Sequence, residues 1–200
     1  MHSAASPLSS PFVLQQLAVF CGSRSGLDPA FVEDAKQLGQ AMAQHQIGLV
    51  YGGGGKGLMG AVADAVLAGQ GQVIGVIPEV LVGFEAQHPG VKDMRVVSDM
   101  HVRKKLMYEL CDAALILPGG NGTLDELFEM LTWNTLKIHN KKIFVLNPQG
   151  FYDHLVAHIV HMQAQGFLYE EWSDRLVVVN SVAEFIAWMA ANTSQIPPAK

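Results

Sequence analysis

Apolar residues in this chain fall into two patterns that alternate from end to end. Short unbroken runs such as Leu17–Cys21, Ile47–Tyr51, Val73–Ile77 and Ala113–Leu117 are separated by longer stretches in which apolar positions recur every three or four residues. An unbroken run reads as a strand buried on both faces, and the three-to-four spacing reads as a helix with one buried face. Helices are expected from Asp28-Pro29 to about Gln44, through the Ala- and Val-rich segment after Gly60, over His101–Cys111, Leu124–Leu136, Phe151–Gln165 and Val182–Ala191. Further strands are expected at Met94–Val97, Lys142–Asn147 and Leu176–Val179. Pro78 ends the third strand, and Glu79–Asp93, which holds Pro89-Gly90 and has no clean period, reads as a loop. Strand and helix alternation of this kind predicts an α/β fold, a Rossmann-like doubly wound parallel sheet of about six or seven strands in a single domain. The domain is placed at residues 13–192, between a Ser-, Ala- and Pro-containing tail at 1–12 and a second tail at 193–200.

Three of the expected strands run into glycine-rich turns: Cys21-Gly22-Ser23-Arg24-Ser25-Gly26, Gly52-Gly53-Gly54-Gly55-Lys56-Gly57 and Pro118-Gly119-Gly120-Asn121-Gly122-Thr123. In a doubly wound sheet all three lie at the carboxyl edge, where ligands bind. Glycine removes side-chain bulk, and the following helix start supplies unpaired N–H groups and a positive dipole end, the ingredients of a phosphate site. A single such turn is equally well read as a tight connection, but structural need alone rarely asks for three. Glu126 lies about one helical turn past Gly122, too far along to compete with a phosphate and close to whatever the phosphate carries.

The second turn formally contains Gly52-x-Gly54-x-x-Gly57, but it follows the second strand, and no convincing ribose-binding acid follows the next one. It is not a P-loop either, because Gly57 stands where a hydroxyl for Mg²⁺ is required. A Gly-x-Ser-x-Gly nucleophile elbow is absent. Arg103-Lys104-Lys105 is the tight basic cluster; Asp99 caps its helix, which brings Arg103 near the strand ends. His154, His158 and His161 share a helix face, but without an acidic or cysteine partner a solvated face outweighs a metal site, and no metal is expected. His101 and His139 are placed nearer the pocket.

Half of the 200 residues are hydrophobic and 16% are charged, the balance of a globular chain. A net charge of −5 argues against a broad nucleic-acid surface. No apolar run reaches the ~18–20 residues of a membrane span, and the apolar segment Phe12–Cys21 lacks the preceding basic residues of a signal peptide. Cys21 and Cys111 each sit in an apolar segment and read as buried reduced thiols, so a cytoplasmic location is expected.

Gly52–Gly60, Met100-His101-Val102-Arg103-Lys104 and Pro118-Gly119-Gly120-Asn121-Gly122-Thr123-Leu124-Asp125-Glu126 together resemble the LOG (Lonely Guy) family of cytokinin riboside 5′-monophosphate phosphoribohydrolases, some of which have been labelled lysine decarboxylases. The likeness runs from about Ala18 to Asn180 and includes Thr132-Trp133-Asn134 and Ile138-His139-Asn140-Lys141. It implies a homodimer without cofactor that hydrolyses the N-glycosidic bond of AMP-like nucleotides, N6-modified or not, to free base and ribose 5-phosphate. By this resemblance Arg103 and Glu126 are catalytic. Gly53, Gly54, Lys104, Gly119, Gly120, Asn121, Gly122 and Thr123 would contact phosphate and ribose, and Ser23, Glu85 and Met100 would face the base. Arg24 stands where the family commonly has Ser, Asn121 where it often has an aromatic residue, and Lys142 where proline is usual. Such cleavage passes through an oxocarbenium-like state, which Glu126 would stabilise or supply with an activated water. Arg103 would keep Glu126 ionised or hydrogen-bond the leaving base. A non-catalytic nucleotide or molybdenum-cofactor carrier on the same fold is the competing reading; a decarboxylase is disfavoured because it would need a Schiff-base lysine.

Overall fold

A computed structural model describes residues 13–82 and 87–192. The two expected tails, apart from Val13 onward, and Glu85 lie outside the described residues.

Seven strands form one all-parallel sheet: β1 Gln16–Phe20, β2 Gly48–Tyr51, β3 Val73–Pro78, β4 Asp93–Val97, β5 Ala113–Ile116, β6 Ile143–Leu146 and β7 Leu176–Val179, in the spatial order β4-β3-β2-β1-β5-β6-β7. The helices are α1 Ala30–Gln44, α2 Gly57–Ala68, α3 Glu79–Val82, α4 Met100–Leu110, α5 Asn121–Thr135, α6 Asp153–Ala164 and α7 Val182–Asn192. The expected doubly wound fold is therefore present, with seven strands. Successive strand residues point to opposite faces, and both faces are covered. Leu17, Val19 and Cys21 pack with α1, α2 and α7, whereas Ala18 and Phe20 pack with α4, α5 and α6. That is why the strands read as unbroken apolar runs. Among the described residues no helix is long and apolar enough to cross a membrane.

Local chemistry sets the boundaries. Asp28 Oδ1 accepts the Ala30 N–H at 2.9 Å and opens α1. Asp99 Oδ1 accepts from the N–H groups of His101 and Val102 at 2.8 and 2.9 Å and opens α4 as expected. The 79–93 segment departs from a plain loop. It begins with the single turn α3, and Gln87 then bridges to Gly54 while His88 N–H donates to Gly53 O at 3.0 Å. Inside the loop, buried His88 turns its Nε2 to Asp64 Oδ1 at 3.0 Å and accepts the Gly90 N–H at Nδ1, so a side chain substitutes for the missing ladder. Helix α5 starts at Asn121, ahead of the apolar run that begins at Leu124, because Gly120, at φ −100°, already takes the extended cap conformation.

The chain builds β1 to β4 outward to one edge, and α4 then carries it back across β3, β2 and β1 to place β5 on the other side of β1. The crevice opens where that direction reverses, between the carboxyl ends of β1 and β5. The loops above it touch through backbone. Gly57, at φ +60°, packs so closely on the first turn that a Cβ would lie 2.4 Å from Ser23 C and 2.6 Å from Arg24 N. Both neighbours are main chain and have little freedom to move. Gly57→Ala is accordingly expected to destabilise the fold by about 1–3 kcal/mol, read as a lowered denaturation midpoint at unchanged m-value.

Candidate active site

The three glycine turns meet at the crevice through hydrogen bonds between main-chain groups. Leu117 N–H donates to Phe20 O at 2.9 Å, Gly22 N–H to Pro118 O at 3.0 Å, and Leu58 N–H to Gly22 O at 3.1 Å. The end of β5 is pinned from the other face by buried Tyr152, whose hydroxyl donates to Leu117 O at 2.7 Å. A cavity of about 480 Å³ opens above this junction, within the ordinary size of a small-molecule site.

At its centre is the N-terminus of α5. Gly119 is needed for packing, since a Cβ there would sit 2.2 Å from Thr123 Oγ1. Gly120 and Gly122 are different. Neither has a positive φ, and a Cβ on either would meet nothing within 4 Å. Neither strain nor packing demands glycine at these two positions. Their bareness leaves room above the first N–H groups of a helix, which is what an approaching anion requires. Gly119, Gly120, Asn121, Gly122 and buried Thr123 all line the cavity, as do Ser23 and Met100.

Arg103 and Glu126 line the same cavity from different helices. Arg103 is 6% exposed. Its Nε donates to Val76 O at 3.1 Å and its Nη2 to Gly52 O at 3.2 Å, with Nη1 3.8 Å from Met100 Sδ. Both carbonyl acceptors are neutral, so these bonds fix the guanidinium without cancelling its charge. Glu126 is half-buried on α5. Its charge reaches Cys21 on the cavity floor, where burial first and Glu126 second push the thiol well above its usual range. Cys111, behind the sheet, is pushed up to about 11, chiefly by burial. Both thiols are therefore neutral and inert at pH 7, as expected of structural cysteines.

Several expected contacts fall elsewhere. Lys104 does not line the cavity; its ammonium lies 3.0 Å from Asp125 Oδ2 and 3.1 Å from Glu129 Oε1, because it projects from α4 toward α5 and away from the sheet edge. Gly53 and Gly54 are turned away from the cleft. Gly53, at φ +82°, backs onto Met94, and both glycines pair with the 87–88 segment; Gly52 is the residue of that turn which lines the cavity. His101 is exposed on α4, and His139 lies against Trp133 with ring centroids 6.4 Å apart; neither lines the cavity. Burial first, then Lys141 and Arg175, hold the His139 pKa below its usual value. Among the described residues no three or more His, Cys, Asp or Glu side chains, His154, His158 and His161 among them, gather in a way that could hold a metal ion.

Two features escaped the sequence reading. Phe151 packs edge-on against Phe31 with centroids 5.5 Å apart, and both line the β6 side of the cavity. They come from distant segments, and no periodicity signals their meeting. Arg24, seen in the sequence only as a departure from a family pattern, also lines the cavity and has no side-chain hydrogen bond or ion pair among the described residues. The other arginines, Arg95, Arg103 and Arg175, are each bonded to protein oxygens.

Residues 59–189 match the family model described as "Possible lysine decarboxylase". The chain is 42% identical over 174 residues to the cytokinin riboside 5′-monophosphate phosphoribohydrolase of Rhodococcoides fascians, covering 86% of this chain and 88% of that protein. It is 42% identical over 178 residues to a probable enzyme of the same name from Oryza sativa subsp. japonica, covering 89% and 80%. Among solved structures, the molybdenum cofactor binding protein of the phototrophic bacterium Rippkaea orientalis superposes with a TM-score of 0.66 at 18% identity, over 92% of this chain and 98% of that one. That likeness concerns the fold.

Proposed function

The chain belongs to the LOG family, that of the cytokinin riboside 5′-monophosphate phosphoribohydrolases, and from that premise we propose that it hydrolyses the N-glycosidic bond of adenosine 5′-monophosphates, N6-modified or plain, to free base and ribose 5-phosphate. One observation carries the reading into the site: Arg103, Glu126 and the open glycine N-terminus of α5 share one cavity.

On this reading the N–H groups from Gly120 to Thr123 bind the 5′-phosphate and fix the sugar, so that remote binding energy is spent on orientation. Arg24, exposed on the cavity wall and without a side-chain partner among the described residues, supplies a second charge to the phosphate. Glu126, further along α5, faces the ribose; its carboxylate stabilises positive charge at the anomeric carbon or takes a proton from the attacking water. Arg103, held rigid by two carbonyls, keeps positive charge near Glu126 and donates a hydrogen bond toward the departing base. Ser23 and Met100, both on the cavity wall, are assigned to the base side. Among the described residues no lysine lines the cavity, which argues against the imine chemistry that the word decarboxylase would require.

The family resemblance also implies a homodimer. Exposed apolar side chains gather at the β4 edge, where Val80, Val96 and Val102 are 61, 52 and 42% exposed on α3, β4 and α4, an edge that a second copy would cover.

Four measurements test this assignment. Purified protein incubated with AMP and with isopentenyladenosine monophosphate should release free base, seen by chromatography. Glu126→Gln should bind nucleotide nearly as well while losing about 100-fold or more in kcat; turnover close to wild type would remove Glu126 from the chemistry. Arg24→Ser should raise KM for AMP several-fold with kcat nearly kept, the pattern of a lost ground-state contact; an unchanged KM would take Arg24 off the phosphate. Light scattering should give twice the 21.6 kDa chain mass, and a monomer mass at micromolar concentration would refute the dimer.

A further inference from the structure

Arg103 and Glu126 belong to different helices, so their separation depends on how α4 and α5 are held together. Each has an immediate neighbour in one ion cluster. Lys104, next to Arg103, places its Nζ 3.0 Å from Asp125 Oδ2 and 3.1 Å from Glu129 Oε1, and Asp125 is next to Glu126. Tyr108, one turn further along α4, donates its hydroxyl to Glu129 Oε2 at 2.8 Å and lies 3.5 Å from Glu126 O. Tyr108 also meets Trp133 of α5 edge-on, with centroids 5.2 Å apart. Lys104 and Tyr108 are 7 and 2% exposed. Two polar side chains of α4 thus reach two carboxylates of α5 on either side of Glu126.

Lys104 is fully engaged by this cluster. Burial lowers its pKa, and the hydrogen bonds and charges of Asp125 and Glu129 outweigh that effect and raise it. Moving its ammonium to a substrate phosphate would leave Asp125 and Glu129 facing each other without a cation, an unfavourable exchange. The opposite end of the arrangement is fixed separately, because the Arg103 guanidinium is tied to Val76 O and Gly52 O above the sheet. Arg103 is therefore referenced to β2 and β3, and α5 is referenced to α4 through Lys104.

We propose that Lys104 is a positioning residue for the glycosidic cleavage: its ion pairs with Asp125 and Glu129, reinforced by Tyr108, hold α5 at the distance from α4 that presents Glu126 and Arg103 to one nucleotide. This role rests on the phosphoribohydrolase reading above. It differs from the phosphate contact expected from the sequence, and the difference is measurable. A displaced catalytic group costs rate, on the order of 100-fold for about 1 Å, while phosphate affinity resides in the α5 N-terminus and is spared.

The test uses the full chain, with AMP as substrate and Lys104→Met, Glu129→Gln and Lys104→Arg as variants. Glu129 does not line the cavity, so it serves as a remote probe of the same cluster. Lys104→Met should lower kcat about tenfold to 100-fold with KM and the AMP dissociation constant within about threefold of wild type. Glu129→Gln should reproduce the kcat loss, and Lys104→Arg should restore most of it. Thermal melts confirm that each variant is folded at the assay temperature; should Lys104→Met fail to fold, Glu129→Gln and Lys104→Arg decide alone. A raised KM and weakened AMP binding with kcat retained would put Lys104 on the phosphate and overturn the role. So would an unchanged kcat in Glu129→Gln. Those outcomes, with an active wild type, overturn the positioning role only; absence of base release by the wild type would overturn the proposed reaction and this role together.

Discussion

The junction between β1 and β5 constrains everything else in this molecule. At that point the sheet reverses its direction of growth, and three loops must converge with almost no side-chain volume between them. The Gly22 N–H to Pro118 O bond, at 3.0 Å, and the Leu58 N–H to Gly22 O bond, at 3.1 Å, leave the loops in main-chain contact. Gly57 and Gly119 are the residues whose missing Cβ allows it. Because the loops satisfy one another, the N–H groups at the head of α5 are left facing the crevice. The site is thus a consequence of topology. A doubly wound sheet always leaves such a gap, and here glycines line the gap on all three sides.

Charge is then added to a neutral scaffold in a definite order of depth. Arg103 lies buried, held by the carbonyl oxygens of Val76 in β3 and of Gly52 just past β2. Glu126 stands half-exposed on the opposite wall, and Arg24 is at the mouth. A buried guanidinium bonded to neutral acceptors keeps its field, and the low-dielectric cleft spreads that field toward the opening. An overall charge of −5 would repel an anionic substrate at long range. Arg103 inside the cleft and Arg24 on its exposed rim counter that repulsion locally, over the ~8–10 Å within which charges act at physiological salt.

Most of the fold was legible in the sequence, because burial on both faces leaves a mark that any reader can find. The runs at Leu17–Cys21 and Ala113–Leu117 and the exact span of Leu176–Val179 came from that pattern alone. The 79–93 segment was legible only as an irregularity, since its order comes from His88 and from bridges to Gly53 and Gly54, contacts with no period. The site divides in the same way. Gly119 to Glu126, singled out through spacing, line one cavity apart from Leu124, and Asp99, read as the cap of α4, does open the helix that carries Arg103. Lys104, expected on the phosphate through the family motif it shares with Arg103, stands instead against Asp125 and Glu129. On a helix adjacent residues diverge by about 100°, and Lys104 points to α5. A run of four glycines likewise does not announce which one faces the cleft, and here it is Gly52, with Gly53 and Gly54 against the 87–88 segment. Phe31 and Phe151 were invisible, since only the folded chain brings them together.

Fold alone leaves a carrier and a hydrolase equally possible, since the molybdenum cofactor binding protein shares the architecture at 18% identity. What separates the two is what faces the middle of the crevice. A carrier gains from binding its cargo in the ground state and has no use for a carboxylate aimed at a sugar, because a negative charge there opposes a phosphorylated ligand. A glycosidase gains from that same carboxylate, because positive charge develops at the anomeric carbon only as the bond breaks. Glu126 on the proposed reading weakens ground-state binding and strengthens binding of the transition state. On the proposed reading, Arg103 offsets the first effect without removing the second, since its own charge is anchored on β2 and β3 while the carboxylate is anchored on α5. On that same reading the two anchors must keep a fixed distance, and the joint between α4 and α5 would then be as much a part of the catalyst as the pair it holds.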